Sequence, residues 1–142
     1  MKRKISAMLA ADIVGYSRGA AIARLFVHRI ESAFERLRDH VGRPLDKPPA
    51  VRFLGLFDTV ASFGIPWNDD VDFPKEIPEF VQNTYHAMAL DEMRLLFPLT
   101  RLTGSGEHEA GRLVEVWFRG VHSDVGGGNG NRGLNWVALN WM

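Results

Sequence analysis

A pentapeptide near the start of the chain constrains the fold more than any other feature of the sequence. Gly15-Tyr16-Ser17-Arg18-Gly19 follows an apolar run, Ala10 to Gly15, that reads as a strand, and precedes a long helical pattern. In a G-x-S-x-G turn the glycines permit close packing and positive φ, so the serine hydroxyl is exposed at the top of a sheet. The pattern therefore predicts Ser17 as a nucleophile at a strand-to-helix turn, with a plain turn carrying an incidental serine as the alternative.

The helical pattern runs from Arg18 to about Val41. Its apolar residues recur every three or four positions, which predicts a buried stripe along one side of the helix. The stripe consists of Ile22, Phe26, Ile30, Phe34 and Leu37. Charged residues such as Arg24 lie largely off this stripe, as expected of a solvated face.

The rest of the chain continues the alternation of elements. Residues 51–57 and 113–118 read as strands, 83–97 and 134–142 as helices, and 64–78 as a proline-containing excursion. Alternating strands and helices favour an α/β fold in which a mainly parallel sheet is flanked by helices. We find no internal repeat and no dividing linker, so residues 1–142 are expected to form a single domain.

Three polar residues each follow a predicted strand: Ser17, Asp58 and His122. Reactive groups gather beyond the carboxyl ends of strands in parallel sheets. A serine hydroxyl needs a base to take its proton and an acid to orient that base, and the chain order Ser, Asp, His is that of the α/β-hydrolase triad. The alternatives are a turn-capping role for Asp58 and a structural hydrogen bond for His122. Asp124 is a rival acid, but it lies two residues from His122 and is expected to support the loop instead.

The residues after His122 form a glycine-rich loop. Gly126, Gly127 and Gly128 could suggest a phosphate cradle, but the lysine and the Ser/Thr of a P-loop are missing, so a hinge or tight loop beside His122 is expected. The acidic residues Asp69, Asp70 and Asp72 read as a solvated charge run. We therefore predict neither a metal site nor a cofactor.

Composition restricts the classes of partner. The 17 basic and 17 acidic residues cancel, which argues against nucleic-acid binding, and the chain has no cysteine for thiolate chemistry or disulfides. The apolar run after the basic start is cut by Asp12, too early for a signal peptide, and no run reaches the roughly 18 apolar residues of a membrane span. The protein is expected to be cytoplasmic as synthesised.

Four segments together resemble a known family. They are Gly15-Tyr16-Ser17-Arg18-Gly19-Ala20, the segment 53–60, the segment 86–92 and the segment 115–128. Their order and sequence resemble the uncharacterised α/β-hydrolase domain family that includes the type VI secretion phospholipase effectors. The resemblance runs from about Asp12 to Met142.

This resemblance implies a serine esterase or lipase acting on lipid or phospholipid acyl esters. Carried over by motif, Ser17 would be the nucleophile, Asp58 the orienting acid and His122 the base, with the Arg18 N–H in the oxyanion hole. The family also implies export by a route independent of a signal peptide, and a secretion-apparatus or immunity-protein partner.

The sequence departs from the family at its start. Family members have early strands and an oxyanion-hole loop before the G-x-S-x-G turn, whereas only 14 residues precede Gly15 here. We therefore expect an incomplete α/β-hydrolase-like domain that lacks those strands. Besides an active esterase, the sequence leaves open a catalytically incompetent fragment or a piece that requires a partner chain. Ile65-Pro66-Trp67 suggests a third reading, transient contact with a membrane surface.

Overall fold

The computed structural model describes residues 8–11, 19–41, 50–60, 74, 76–95, 97–102, 111–130 and 133–142. Within these ranges the chain forms four strands and three helices. They are β1 (Met8–Ala11), α1 (Gly19–Val41), β2 (Phe53–Phe57), β3 (Thr84–Ala89), β4 (Leu113–Phe118), α2 (His122–Val125) and α3 (Gly133–Trp141). None of the helices in these ranges is long and apolar enough to cross a membrane.

The four strands form one parallel sheet in the order β1-β2-β3-β4. The register pairs Ala11 with Leu56 and Ala89 with Phe118, so the carboxyl ends of the strands lie at one edge of the sheet. The predicted fold class, an α/β arrangement of mainly parallel strands flanked by helices, is confirmed. The first strand begins at Met8 and not at Ala10 as predicted.

Helices cover both faces of the sheet. The side chains of β2 point alternately to the two faces, where they join two separate apolar clusters. Leu54 and Leu56 pack with α1 on one face, whereas Phe57 packs with α3 on the other. Gly55 points toward the α3 side, where a Cβ atom would come within 2.9 Å of the Met142 sulfur. The absence of a side chain at this position lets the end of α3 lie against the strand.

The prediction of a helix over residues 83–97 is wrong. Residues 84–89 form β3, a central strand whose register with both neighbours is parallel. Tyr85 packs toward α3, with its ring stacked on Trp141, while His86 lies on the opposite face. A strand buried on both faces has no clear alternation of apolar and polar residues, and a short run of this kind cannot be told from a helix by periodicity.

The bounds of α1 agree with the prediction, but its buried face does not. Ile22 is 56% exposed and Phe26 46% exposed, whereas Ala20, Ala23 and Val27 are buried. Small side chains allow the helix backbone to approach the sheet closely, and the large side chains of Ile22 and Phe26 are turned away from it.

Arg24, expected on the solvated face of α1, is fully buried. Its guanidinium donates hydrogen bonds to the carbonyl oxygens of Pro74 and Thr100, at 2.9 and 3.1 Å. Because a buried charge must be hydrogen-bonded, the side chain ties two loops to the helix. The prediction failed because it assigned every charged residue to solvent.

Candidate active site

Asp58 and His122 meet at the carboxyl edge of the sheet. Asp58 directly follows β2, and His122 is the first residue of α2. The Nδ1 atom of His122 lies 2.7 Å from Oδ2 of Asp58, and the two side chains are 13% and 2% exposed. The fold thus brings together two residues that are 64 positions apart in the chain.

Strand β3 fixes the position of Asp58. The Asp58 N–H donates to the carbonyl oxygen of Ala87, and Oδ1 accepts a hydrogen bond of 2.7 Å from the Ala89 N–H. The residue has φ = 40°, in the left-handed region that non-glycine residues seldom adopt. Strained backbone of this kind costs about 1–3 kcal/mol and clusters at functional sites.

The contact with Asp58 determines which tautomer the neutral His122 ring adopts. A carboxylate accepts hydrogen bonds, so Nδ1 carries the proton that is donated to Oδ2. In the neutral ring Nε2 then carries a lone pair and can act as a base. The ring edge packs against Phe97 at a centroid distance of 5.4 Å, which restricts its rotation.

Glu92 holds the backbone of His122. Its Oε2 accepts a hydrogen bond of 3.1 Å from the His122 N–H, and both carboxylate oxygens accept from the Arg94 guanidinium. The hydrogen bond with Arg94 lowers the pKa of Glu92 to about 2, against the opposing effect of burial. The guanidinium in turn lies 3.8 Å from the centre of the Phe97 ring. Glu92 is therefore a carboxylate at neutral pH and anchors the start of α2.

The loop predicted to carry His122 begins with a helical turn. Residues 122–125 form α2, so His122 begins a short helix that was not predicted. Asp124 accepts a hydrogen bond of 3.0 Å from the Val121 N–H and another from the Asn129 side chain. These bonds close the loop around Asp124, the residue expected to support it.

Glycines provide the backbone geometry on both sides of α2. Gly127 and Gly128 have φ of 93° and 111°, values that favour glycine, and Gly126 ends the helix by donating its N–H to the His122 carbonyl oxygen. Gly120 has φ = 110°, and a Cβ atom there would lie 2.6 Å from Cβ of Asp124. The tight loop predicted beside His122 is thus formed with the glycines at its bends.

A second histidine–carboxylate pair lies behind Asp58. Nδ1 of His86 is 3.1 Å from Oε1 of Glu115, and Nε2 accepts a hydrogen bond of 3.0 Å from the Thr59 N–H. His86 is fully buried, and burial lowers its pKa even though Glu115 opposes this effect. Burial raises the pKa of Glu115, but the hydrogen bonds from His86, the Leu102 N–H and Arg101 outweigh it and bring the value to about 2.

Two of the predicted catalytic residues lie outside the described residues. These are Ser17, the predicted nucleophile, and Arg18, whose N–H is expected in the oxyanion hole. The described part of α1 begins at Gly19, two positions after Ser17. The acidic run Asp69, Asp70 and Asp72 and the apolar segment 65–67 also lie outside. Among the residues that are described, no group of three or more histidine, aspartate or glutamate side chains could hold a metal ion.

A protein-family model matches most of the chain, including both residues of this site. The model described as T6SS, phospholipase effector Tle1-like, catalytic domain, matches residues 31–142. The chain belongs to this family. The resemblance noted from the sequence motifs is therefore confirmed, and the matched Tle1-like region contains both Asp58 and His122.

Two solved structures are similar to this Tle1-like chain. An uncharacterised protein from Pseudomonas aeruginosa shares 31% identity over 87% of the chain, with a TM-score of 0.63. A Tle1 effector bound to the VgrG spike of the type 6 secretion system shares 28% identity over 83% of the chain, with a TM-score of 0.49. The chain spans 21% and 24% of these two structures. No curated protein is a significant match.

Sequence reasoning did not assign roles to Glu92, His86 or Glu115, although all three lie in the motifs that carry the resemblance. The signal was a titratable residue inside a mainly apolar strand, which occurs at His86 and at Glu115. It was hidden at His86 because residues 83–97 were read as a helix. Glu92 follows β3 at the same edge as Asp58, but its position was visible only after β3 had been recognised.

Proposed function

We propose that this Tle1-like chain is a serine esterase in which Ser17, His122 and Asp58 form the catalytic triad. The observation that carries the proposal is the 2.7 Å contact between Nδ1 of His122 and Oδ2 of Asp58 at the carboxyl edge of the sheet. Its support is threefold: the ring leaves Nε2 available as a base, β3 fixes the acid, and Ser17 lies in a G-x-S-x-G sequence two positions before the first described residue of α1.

The reaction divides ester hydrolysis into two steps. Nε2 of His122 takes the Ser17 proton while Oγ attacks the carbonyl carbon, and the intermediate collapses when the ester C–O bond breaks. His122 gives the proton to the departing alcohol, which leaves an acyl-serine. Water then gives a proton to the same nitrogen and attacks the acyl carbon; the bond between the acyl carbon and Oγ breaks, the acid leaves, and His122 returns the proton to Oγ of Ser17. Asp58 keeps the ring oriented and stabilises the imidazolium in both steps.

The proposed substrates are lipid or phospholipid acyl esters. The family is described as a phospholipase effector catalytic domain, and an acyl ester is the bond that a serine triad cleaves. Because the same description names the type VI secretion system, the proposal includes a secretion-apparatus partner. A pull-down of spike proteins by the tagged chain tests that partner separately from the chemistry.

The test of the triad is covalent labelling. The chain is incubated with a fluorophosphonate probe, and hydrolysis of short p-nitrophenyl esters and of phospholipid vesicles is measured. We expect wild-type protein to be labelled on Ser17, Ser17→Ala to lose labelling and hydrolysis, and Ser123→Ala to retain both. Ser123 is a matched control because it is a serine beside His122 that the proposed mechanism does not use. Labelling that persists in Ser17→Ala would refute the assignment of the nucleophile.

A second candidate is a catalytically incompetent piece that needs a partner chain. The observation that favours it is the apolar surface of α3, where Trp136 is 53% and Val137 56% exposed. This candidate predicts a folded chain that forms the Asp58–His122 hydrogen bond but reacts with neither probe nor ester. The labelling experiment, combined with a histidine NMR spectrum, separates it from the first candidate.

A further inference from the structure

The buried pair of His86 and Glu115 lies on the α1 face of the sheet, behind the turn that carries Asp58. Nothing in the proposed mechanism uses it. Glu115 comes from the middle of β4 and His86 from the middle of β3, and the register places them directly opposite each other. The His86 ring is fully buried, and the Glu115 side chain is 4% exposed. Charged and titratable groups are rarely this deeply buried without a specific set of partners.

The hydrogen bonds determine which tautomer His86 adopts. The Thr59 N–H can only donate, so Nε2, 3.0 Å away, must carry a lone pair. Nδ1 then carries the proton and donates it to Oε1 of Glu115. The Glu115 carboxylate already has a cationic partner, since Oε2 lies 2.8 Å from Nη2 of Arg101. His86 therefore remains neutral and serves as an acceptor for the backbone.

The acceptor acts at the turn that presents Asp58. Thr59 is the next residue after Asp58, whose backbone has φ = 40°. Three groups on β3 hold this turn: the carbonyl oxygen of Ala87, the N–H of Ala89 and Nε2 of His86. Of these three groups on β3, only the His86 anchor is a side chain, so it can be removed by a substitution in β3 that leaves Asp58 and the sheet ladder unchanged.

We propose that His86, oriented by Glu115 and accepting the Thr59 N–H, is a positioning residue that holds the Asp58 turn in register with His122. The proposal rests on the proposed esterase function only for its kinetic consequence. The geometric part concerns the Asp58–His122 hydrogen bond and can be measured in an inactive protein.

Two substitutions separate the two sides of the ring. In His86→Gln the side-chain amide reaches the place of Nε2, where its oxygen can accept from the Thr59 N–H. In His86→Asn the shorter amide lies near the place of Nδ1, so it can reach Glu115 but leaves the Thr59 N–H without this acceptor. Both variants replace the buried imidazole ring by a carboxamide, so each is the control for the other. Leu54→Ala serves as a control for stability, because Leu54 is buried on the same face of the sheet.

The first measurement is NMR of the intact chain labelled with ¹⁵N-histidine at pH 7. Two-bond ¹H–¹⁵N correlations should identify His86 as neutral with its proton on Nδ1, and His122 should show a strongly deshielded Nδ1 proton bonded to Asp58. We expect His86→Gln and Leu54→Ala to keep the deshielded His122 proton and His86→Asn to lose it. A His86 ring that is protonated or carries its proton on Nε2 would overturn the proposal without any variant.

The second measurement is ester hydrolysis. A small displacement of a catalytic group costs about 10²-fold in rate, so we expect His86→Asn to lower kcat by about that factor with little change in KM. His86→Gln should stay within about tenfold of wild type. Equal effects of the two variants on kcat and on the His122 proton would show that His86 only fills space. If wild-type protein hydrolyses no ester, the esterase function fails, and the NMR comparison still decides the positioning role.

Discussion

Replacement of Asp58 by asparagine tests the site most directly, because Asp58 makes two hydrogen bonds that one amide cannot reproduce. Oδ1 accepts from the Ala89 N–H and Oδ2 from His122 Nδ1, each at 2.7 Å. Asparagine offers one acceptor and one donor group. If its oxygen keeps the Ala89 N–H, its NH₂ group faces His122, and the ring must move its proton from Nδ1 to Nε2. The nitrogen that should accept the Ser17 proton is then occupied.

The magnitude follows from this change of tautomer. An aspartate-to-asparagine substitution that leaves the geometry of a serine triad intact lowers kcat about 10⁴-fold. Stability should fall much less, by about 1–2 kcal/mol, because charge-assisted hydrogen bonds are replaced by neutral ones. The expected signature is thus a large loss of turnover in a folded protein.

The assay combines initial rates of p-nitrophenyl ester hydrolysis with urea unfolding and ¹⁵N-histidine NMR of the same sample. Asp91→Asn is the matched control, since Asp91 follows β3 and accepts the Gly120 N–H at 2.7 Å but does not contact the His122 ring. An amide oxygen can still accept that bond, and we expect a change in kcat of less than about tenfold. Retention of activity by Asp58→Asn within tenfold, or an unchanged His122 tautomer, would refute the reasoning.

Three further predictions concern stability. Val27→Ala should lower the free energy of unfolding by about 2 kcal/mol, because it deletes two buried methyl groups. Ile22→Ala, on the exposed face of α1, should change it by less than about 0.5 kcal/mol. Equal effects in urea unfolding would contradict the observed orientation of α1. Gly120→Ala combines an unfavourable φ with a close contact and should be more destabilising than Gly111→Ala, because Gly111 has φ = 95° but open space around it. An equal fall of the thermal unfolding midpoint in the two variants would contradict this prediction. The pKa of Glu92 is about 2 in the folded chain and about 4.3 in an unfolded one. The contribution of the carboxylate to stability is therefore present above about pH 4.3 and is lost as the pH falls toward about 2. Glu92→Gln should flatten the pH dependence of the unfolding free energy in that window, and an unchanged slope would argue against the low pKa.

Much of the sheet was predictable because local signals agreed with the tertiary structure. The segments 51–57 and 113–118 are apolar and bounded by breakers, and both contain strands of the sheet. The helix that ends near Val41 and the C-terminal helix were predicted nearly to the residue. The position of Asp58 after one strand and of His122 after another already indicated that the two would meet, because parallel strands present their carboxyl ends at one edge.

The failures have a common physical cause. Whether residues 84–89 form a strand or a helix depends on the neighbours that bury both of their faces, and those neighbours, β2 and β4, are remote in sequence. The same holds for α1, where contact with the sheet selected small residues over the large apolar stripe, and where loop carbonyl oxygens stabilise the buried Arg24.

The sequence by itself determined the parallel α/β class, the family and the two strand-end residues, because hydrophobic periodicity and motif spacing are local properties of the chain. Only the tertiary structure decided that His122 begins a helical turn held by Glu92, and that His86 and Glu115 form a buried pair behind Asp58. These hydrogen bonds depend on register across the sheet. A side chain in the middle of β3 acquires its role from the residue that β4 places opposite it.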